Sequence, residues 1–290
     1  MANGFFTDTT LCIGCKACEV ACKQWNQLPA DGYDFSRMSY DNTVALTATT
    51  WRHVSFIEQL SGGAAGRTSG TGHEAGASAI SQTILQGDGA APGQVVGFLG
   101  ENRWLMMSDV CKHCTHAGCL DACPTGAIIR NEFGDVYVQP DVCNGCGYCV
   151  PACPFGVIDL NREDGRAWKC TLCYDRQKDG FTPACAKACP TQSILFGDVD
   201  ELRARACARV GALHERGVTD AYLYGVDERT SVGDLNAFFL LVDQPETYNL
   251  PEQPHLPQAQ VIPAYVATAV TALALGTATL IAFVMGGRRS

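Results

Sequence analysis

The sequence predicts an α+β chain in which two pseudo-symmetric, cysteine-organised units carry a strand-and-loop insert and end in one C-terminal transmembrane helix. Three observations predict it. Sixteen of the seventeen cysteines fall into four groups of four. Strand-like alternation and helix-like periodicity occur between and after those groups. The last apolar stretch has no charged residue from Pro263 to Met285.

The groups are Cys12, Cys15, Cys18 and Cys22; Cys111, Cys114, Cys119 and Cys123; Cys143, Cys146, Cys149 and Cys153; and Cys170, Cys173, Cys185 and Cys189, with Cys207 left over. Disulfides, zinc and iron–sulfur clusters compete to explain them. Disulfide frameworks belong mainly to small secreted domains, and their cysteines rarely form tight triplets followed by proline. The opening residues have neither a basic nor an apolar signal region, so no signal peptide is expected. Zinc sites usually show two separated C-x2-C pairs. Here every quartet ends in C-x3-C, and Pro124, Pro154 and Pro190 follow three of them. Groups one and three read C-x2-C-x2-C-x3-C, the spacing of bacterial two-cluster ferredoxins, in which the fourth cysteine serves the neighbouring cluster.

Crossed ligation therefore pairs neighbouring groups two and three into one ferredoxin-like unit. One cluster takes Cys111, Cys114, Cys119 and Cys153, its mate Cys123, Cys143, Cys146 and Cys149. By elimination groups one and four form the other unit, with Cys12, Cys15, Cys18 and Cys189 on one cluster and Cys22, Cys170, Cys173 and Cys185 on the other. Four 4Fe–4S clusters are expected, with these sixteen cysteines as the iron ligands and no catalytic residue. His113 and His116, among the group-two ligands, are expected to hydrogen-bond or pack near a cluster. Lys112 and Lys169 are ligand neighbours that could raise a potential, although lysines are commonly exposed.

The insert opens with an alternating stretch from Thr47 to Glu58, with Thr49, Trp51, His53, Ser55 and Ile57 on one face and Val54, Phe56 and Glu58 on the other. A Gly/Ala/Ser-rich tract from about Ser61 to Gly93 reads as a surface loop, and Arg103 to Met107 as the strand that pairs back. After group four, Asp198 and Asp200 precede Leu202, Ala206, Val210 and Leu213 at helical spacing, ending near Gly217. Cys207 within this helix is expected to be a small buried side chain. Gln244 to Pro263 contains five prolines and no Lys or Arg, which predicts an extended linker. The apolar stretch that follows spans a hydrocarbon core of about 30 Å at about 1.5 Å per residue. Ala267, Thr271, Leu275 and Thr279 give it a face suited to packing on another membrane helix.

The expected division is 1–40 with 165–200 for one unit, 41–105 for the insert, 106–164 for the other unit, 201–260 for helix and linker, and 261–287 for the transmembrane helix. A net charge of −9 gives no basic stripe for nucleic acid. There is also no nucleotide-binding glycine motif, catalytic triad or open-site metal motif, so the chain is expected to move electrons between partners and not to be an enzyme by itself.

The segments CIGCKACEVACKQWN (Cys12 to Asn26), WLMMSDVCKHCTHAGCLDACPTGAII (Trp104 to Ile129), CNGCGYCVPACPFGV (Cys143 to Val157), KCTLCYDR (Lys169 to Arg176) and PACAKACPTQSILFG (Pro183 to Gly197) resemble the iron–sulfur beta subunits of membrane-bound molybdopterin oxidoreductases. HERG at the helix end and DQPETYNLP from Asp243 to Pro251 bring the resemblance nearest to respiratory formate dehydrogenase. Where nitrate reductase beta subunits carry a tryptophan, Cys146 stands here. The glycine-rich tract departs from the family pattern.

The resemblance implies partners: a molybdopterin (molybdenum or tungsten) catalytic alpha subunit beside the group-one/group-four unit, and a membrane cytochrome b gamma subunit beside the other. Formate would supply the electrons and quinone would receive them. Arg288 and Arg289 after the span place the C-terminus in the cytoplasm and the cluster portion on the periplasmic side; a twin-arginine-bearing partner would carry it across. Competing readings are the same relay serving another molybdopterin oxidoreductase or a hydrogenase, and a zinc-stabilised, membrane-tethered interaction protein.

Overall fold

The computed structural model describes residues 2–30, 41, 43–59, 103–227 and 229–286. The Gly/Ala/Ser-rich tract and the Arg288–Arg289 pair lie outside the described residues. In chain order the elements are β1 (Asn3–Asp8), α1 (Ala17–Trp25), β2 (Arg52–Gln59), β3 (Arg103–Val110), α2 (Gly118–Asp121), β4 (Ile128–Arg130), β5 (Val136–Val138), β6 (Asp159–Leu160), β7 (Ala167–Trp168), α3 (Tyr174–Lys178), α4 (Ala184–Lys187), β8 (Ile194–Asp198), α5 (Val199–Glu215), β9 (Tyr222–Tyr224), β10 (Ala237–Leu241) and α6 (Val261–Gly286).

A four-stranded sheet in the order β8-β1-β10-β9 ties the two ends of the globular part together. β1 pairs antiparallel with β8 and parallel with β10. The cysteine pattern did not predict this sheet, although its central strand is a continuous apolar run, AFFLL, with all five residues buried. β9 and β10 lie within the stretch expected to hold a helix and linker. The β1–β8 ladder puts Thr7 opposite Ile194, so the loop leaving β1 at Cys12 meets the loop entering β8 from Cys189. Ser193 reinforces the junction by donating its hydroxyl to the Asp8 carbonyl at 2.7 Å.

The insert strands pair antiparallel, β2 with β3, from Arg52↔Val110 to Gln59↔Arg103. β2 starts later than the alternation suggests. The Thr47 side chain accepts from the Thr49 and Thr50 amides at 3.2 and 3.0 Å, which makes a turn in place of the strand's first residues. Arg52, His53, Val54 and Ser55 are all buried. The first half of β2 is therefore covered on both of its faces.

Asp198 caps α5 by accepting from the amides of Asp200 and Glu201. The buried stripe is Val199, Leu202, Ala206 and Leu213. Cys207, one residue round the helix from Ala206, is exposed and not buried as expected. The proline-rich stretch is likewise no free linker: Tyr248, Leu250 and Leu256 are buried in the core beneath the four-stranded sheet. It leads into α6, 26 residues long and about 39 Å at helical rise. Its described side chains are all exposed. The hydroxyls of Thr268, Thr271 and Thr279 donate to carbonyls four residues earlier, at 2.7–2.8 Å, and so satisfy their own polarity. That suits a helix in lipid, where water is absent.

Candidate metal centres

Each cysteine loop contains residues in the left-handed region: Gly14 and Lys16 in group one, His113 in group two, Gly145 and Gly147 in group three, Leu172 and Cys173 in group four. Alternation of left- and right-handed backbone turns successive amides to one side and forms a concavity suited to an anion, as at many iron–sulfur sites. Two of these glycines are also required by packing. A Cβ on Gly14 would lie 2.5 Å from a Phe56 ring carbon, and one on Gly145 would collide with the Gly165 carbonyl oxygen.

Hairpins return the chain so that groups meet. β4–β5 lies between Cys123 and Cys143, and Gln139 closes it by donating to the Ala127 carbonyl at 2.7 Å. β6–β7 lies between Cys153 and Cys170, and the Ala167 amide reaches Cys143 Sγ at 3.4 Å. Cys123, Cys143, Cys146 and Cys149 line one cavity, floored by Ile128 and Ala167.

Burial is the largest influence raising the thiol pKa of Cys12, Cys22, Cys114, Cys149, Cys170 and Cys173, and thiolate repulsion identifies their neighbours. Cys12 has Cys189 and Cys15. Cys22 has Cys185 and Cys173, and Cys170 has Cys22, Cys185 and Cys173. Cys114 has Cys111, Cys153 and Cys119. Cys149, pushed up to about 11, has Cys143, Cys123 and Cys146. Cys18 is also lifted, to about 12, by burial, which Arg52 and the Ser108 hydroxyl oppose and repulsion from Cys185 assists. Packing joins different quartets as well: Cys18, Cys111, Cys170 and Cys185 share one hydrophobic cluster, and Cys149 packs in another with Cys114, Cys119 and Cys153. Cys22, Cys170, Cys173 and Cys185 are all buried, whereas Cys15 and Cys146 are exposed.

Among the described residues, no three His, Cys, Asp or Glu side chains converge as they would around a single metal ion. Buried donors without partners fit an acceptor-rich guest. Arg52 Nε and His113 Nε2 have no hydrogen-bond partner among the described residues. His113 accepts the Val136 amide at Nδ1, 3.2 Å, so its Nε2 carries the proton. Burial first, then Lys169 and Arg130, hold this imidazole neutral. His116, by contrast, is exposed.

Lys112 and Lys169 are both buried, not exposed as lysines usually are. Lys112 forms an ion pair with Asp109 and lies over the Phe155 and Phe239 rings. Lys169 donates to Cys111 Sγ at 3.3 Å and to the Cys170 carbonyl at 3.1 Å. Sequence reasoning missed Arg52, which is 1% exposed and donates to Cys185 Sγ at 3.2 Å. Nothing in its surroundings along the sequence marks it, because its partner lies more than a hundred residues away.

Two stretches match the family description "4Fe-4S dicluster domain", residues 11–127 and 102–199. The chain is 37% identical over 273 residues to the formate dehydrogenase iron-sulfur subunit of Haemophilus influenzae, covering 93% of this chain and 75% of that one. It is 38% identical over 253 residues to the formate dehydrogenase-O iron-sulfur subunit of Escherichia coli, covering 86% and 71%. A component of the anaerobic dimethyl sulfoxide reductase of Escherichia coli is 33% identical over 202 residues, 69% of this chain and 75% of that one. Two ferredoxin-like dicluster domains carry four 4Fe–4S clusters, and with these relatives the protein belongs to the family of formate dehydrogenase iron–sulfur subunits.

Proposed function

We propose that the chain relays electrons from a formate-oxidising molybdopterin catalytic subunit, holding molybdenum or tungsten, to a membrane cytochrome b subunit that reduces quinone. Bound 4Fe–4S clusters supply one-electron chemistry. The chain's residues hold them in order and exclude water from the middle of the series. The first set is Cys12, Cys15, Cys18 and Cys189, and the second is Cys22, Cys170, Cys173 and Cys185. The third is Cys111, Cys114, Cys119 and Cys153, and the fourth is Cys123, Cys143, Cys146 and Cys149. The two units are pseudo-symmetric in this reading.

The observation that carries it is the way buried side chains join one quartet to the next. Arg52 joins Cys185 to Ser108 and so to Cys18, Lys169 joins Cys111 to the Cys170 carbonyl, and Cys149 packs in one cluster with Cys114, Cys119 and Cys153, which supports the order first, second, third, fourth. An exposed cysteine at each end and a wholly buried second set suit entry and exit at opposite surfaces. The root of α6 supports a membrane-side position for the third and fourth sets. Gln258 donates to the Gly118 carbonyl at 3.0 Å, at the start of the helix carrying Cys119.

Formate-dependent dye reduction by the complex, purified anaerobically in mild detergent, tests the partner. About sixteen iron and sixteen acid-labile sulfide per chain are expected. Zinc without sulfide would support the tethered interaction protein instead. The dimethyl sulfoxide reductase relative favours a second reading, the same relay serving another oxidoreductase; silence with formate but activity with another substrate would establish it. The cluster portion is assigned to the periplasmic side, and protease cleavage in sealed spheroplasts is expected. Cleavage only after lysis would reverse that topology.

Truncation before Val261 removes the apolar α6 surface, including the exposed Ile262 and Phe283. The truncated protein is expected to leave the membrane fraction while keeping its iron. Its retention in detergent-free membranes would show that α6 is not the anchor.

A further inference from the structure

Arg52 and Lys169 are buried cations that form no ion pair with a carboxylate among the described residues. A buried charge is retained only when something of opposite sign compensates it. For both residues cysteine sulfurs are the hydrogen-bonded anionic partners, with the buried Asp135 carboxylate also facing Lys169, and each residue sits at a junction. Arg52 donates through Nη2 to Cys185 of the second set, 3.2 Å. Through Nη1 it reaches Ser108, whose hydroxyl is 3.2 Å from Cys18 Sγ of the first set. The Phe5 ring, with the guanidinium carbon 4.8 Å from its centroid, closes another side. Lys169 touches Cys111 of the third set and the carbonyl of Cys170 of the second.

The second set is therefore served by both cations and is also the one with all four cysteines buried. Deep burial of an anionic cluster disfavours its reduced form, which carries the extra negative charge. Left alone, that would make the second cluster the hardest of the four to reduce and a barrier inside the relay. We propose that Arg52 and Lys169 are positioning residues that offset this burial, Arg52 raising the reduction potentials of the first and second clusters and Lys169 those of the second and third. Among the described residues neither cation donates a hydrogen bond to a residue of the fourth set. This inference rests on the ligand sets proposed above.

Redox titration of the intact complex, followed by low-temperature paramagnetic resonance with iron analysis alongside, tests it. Arg52→Gln is expected to shift two of the four centres to lower potential, and Lys169→Gln to shift two with one in common. The double variant is expected to shift the common centre furthest and leave one unmoved. The charge-conserving Arg52→Lys and Lys169→Arg are expected to restore potentials close to those of the unaltered protein. Uniform shifts across all four centres, unmoved potentials, shifts equally large in the charge-conserving variants, or iron loss in the neutral variants would overturn the inference. Absence of four reducible centres in the unaltered complex would instead overturn the relay itself.

Discussion

Stripping iron from the protein with a strong chelator under reducing conditions is expected to unfold both cysteine units, not merely to bleach them. Two of the three hydrophobic clusters incorporate the proposed ligands. One packs Cys18, Cys111, Cys170 and Cys185 among Phe5, Val54, Leu172 and Ile194. Another packs Cys149 among Ile128, Val136 and Ile158. Without iron the thiols take up protons, and the cavity lined by Cys123, Cys143, Cys146 and Cys149 loses its content. Arg52 then keeps its charge in a buried site with the thiolates gone, and Lys169 must either hold its charge there or shed its proton. Breaking a buried pair from one side typically costs about 3–5 kcal/mol. Two such losses rival a typical net stability of about 5–15 kcal/mol, and metal binding in such sites is folding free energy. Loss of the visible absorption should therefore coincide with loss of near-ultraviolet circular dichroism and of protease resistance. An iron-free protein that keeps native protease protection would refute this coupling.

Replacement of Gly14 by alanine is expected to empty one cluster while sparing the other three, a loss of about four iron per chain. Gly14 stands at φ +65°, where a side chain costs roughly 1–2 kcal/mol. The new Cβ would also sit 2.5 Å from a Phe56 ring carbon and 2.7 Å from the Met106 sulfur. Phe56 and Met106 are cross-strand partners in the β2–β3 ladder, so neither can retreat without moving the other. Overpacking of this kind adds about 1–3 kcal/mol. The Cys12–Cys15 loop must yield, and with it the amides and thiols that frame the first set. Gly156→Ala is the control. It has a similar φ, +61°, but nothing within 4 Å of the new Cβ, so it should keep all its iron. Equal iron contents in the two variants would show that the contact with Phe56 and Met106 does not matter.

The parts legible along the sequence are those written in local spacing. Three thiolates within one short loop, a proline after the fourth, and an uncharged stretch long enough for a bilayer announce themselves because the chemistry needs near neighbours in sequence. The α5 cap at Asp198 belongs to the same class. Long-range features did not announce themselves. The β1–β10 pairing joins Phe5 to Ala237, and the short strands flanking the cysteines carry little pattern of their own. Cys207 was misjudged because one step round a helix reverses exposure, and helical spacing alone does not say where the stripe's edge lies. The proline-rich stretch read as a linker because composition reports stiffness, whereas burial of Tyr248 and Leu256 depends on a surface built elsewhere.

By itself the sequence determined that this protein carries iron–sulfur clusters and ends in an apolar helix, since ligand chemistry and hydrophobic length are properties of contiguous residues. Only the tertiary structure decided that Arg52 is buried against Cys185 and Lys169 against Cys111. The reason is physical: Coulomb energy and burial depend on distance through space, and these are set by strand pairing across nearly the whole length of the protein.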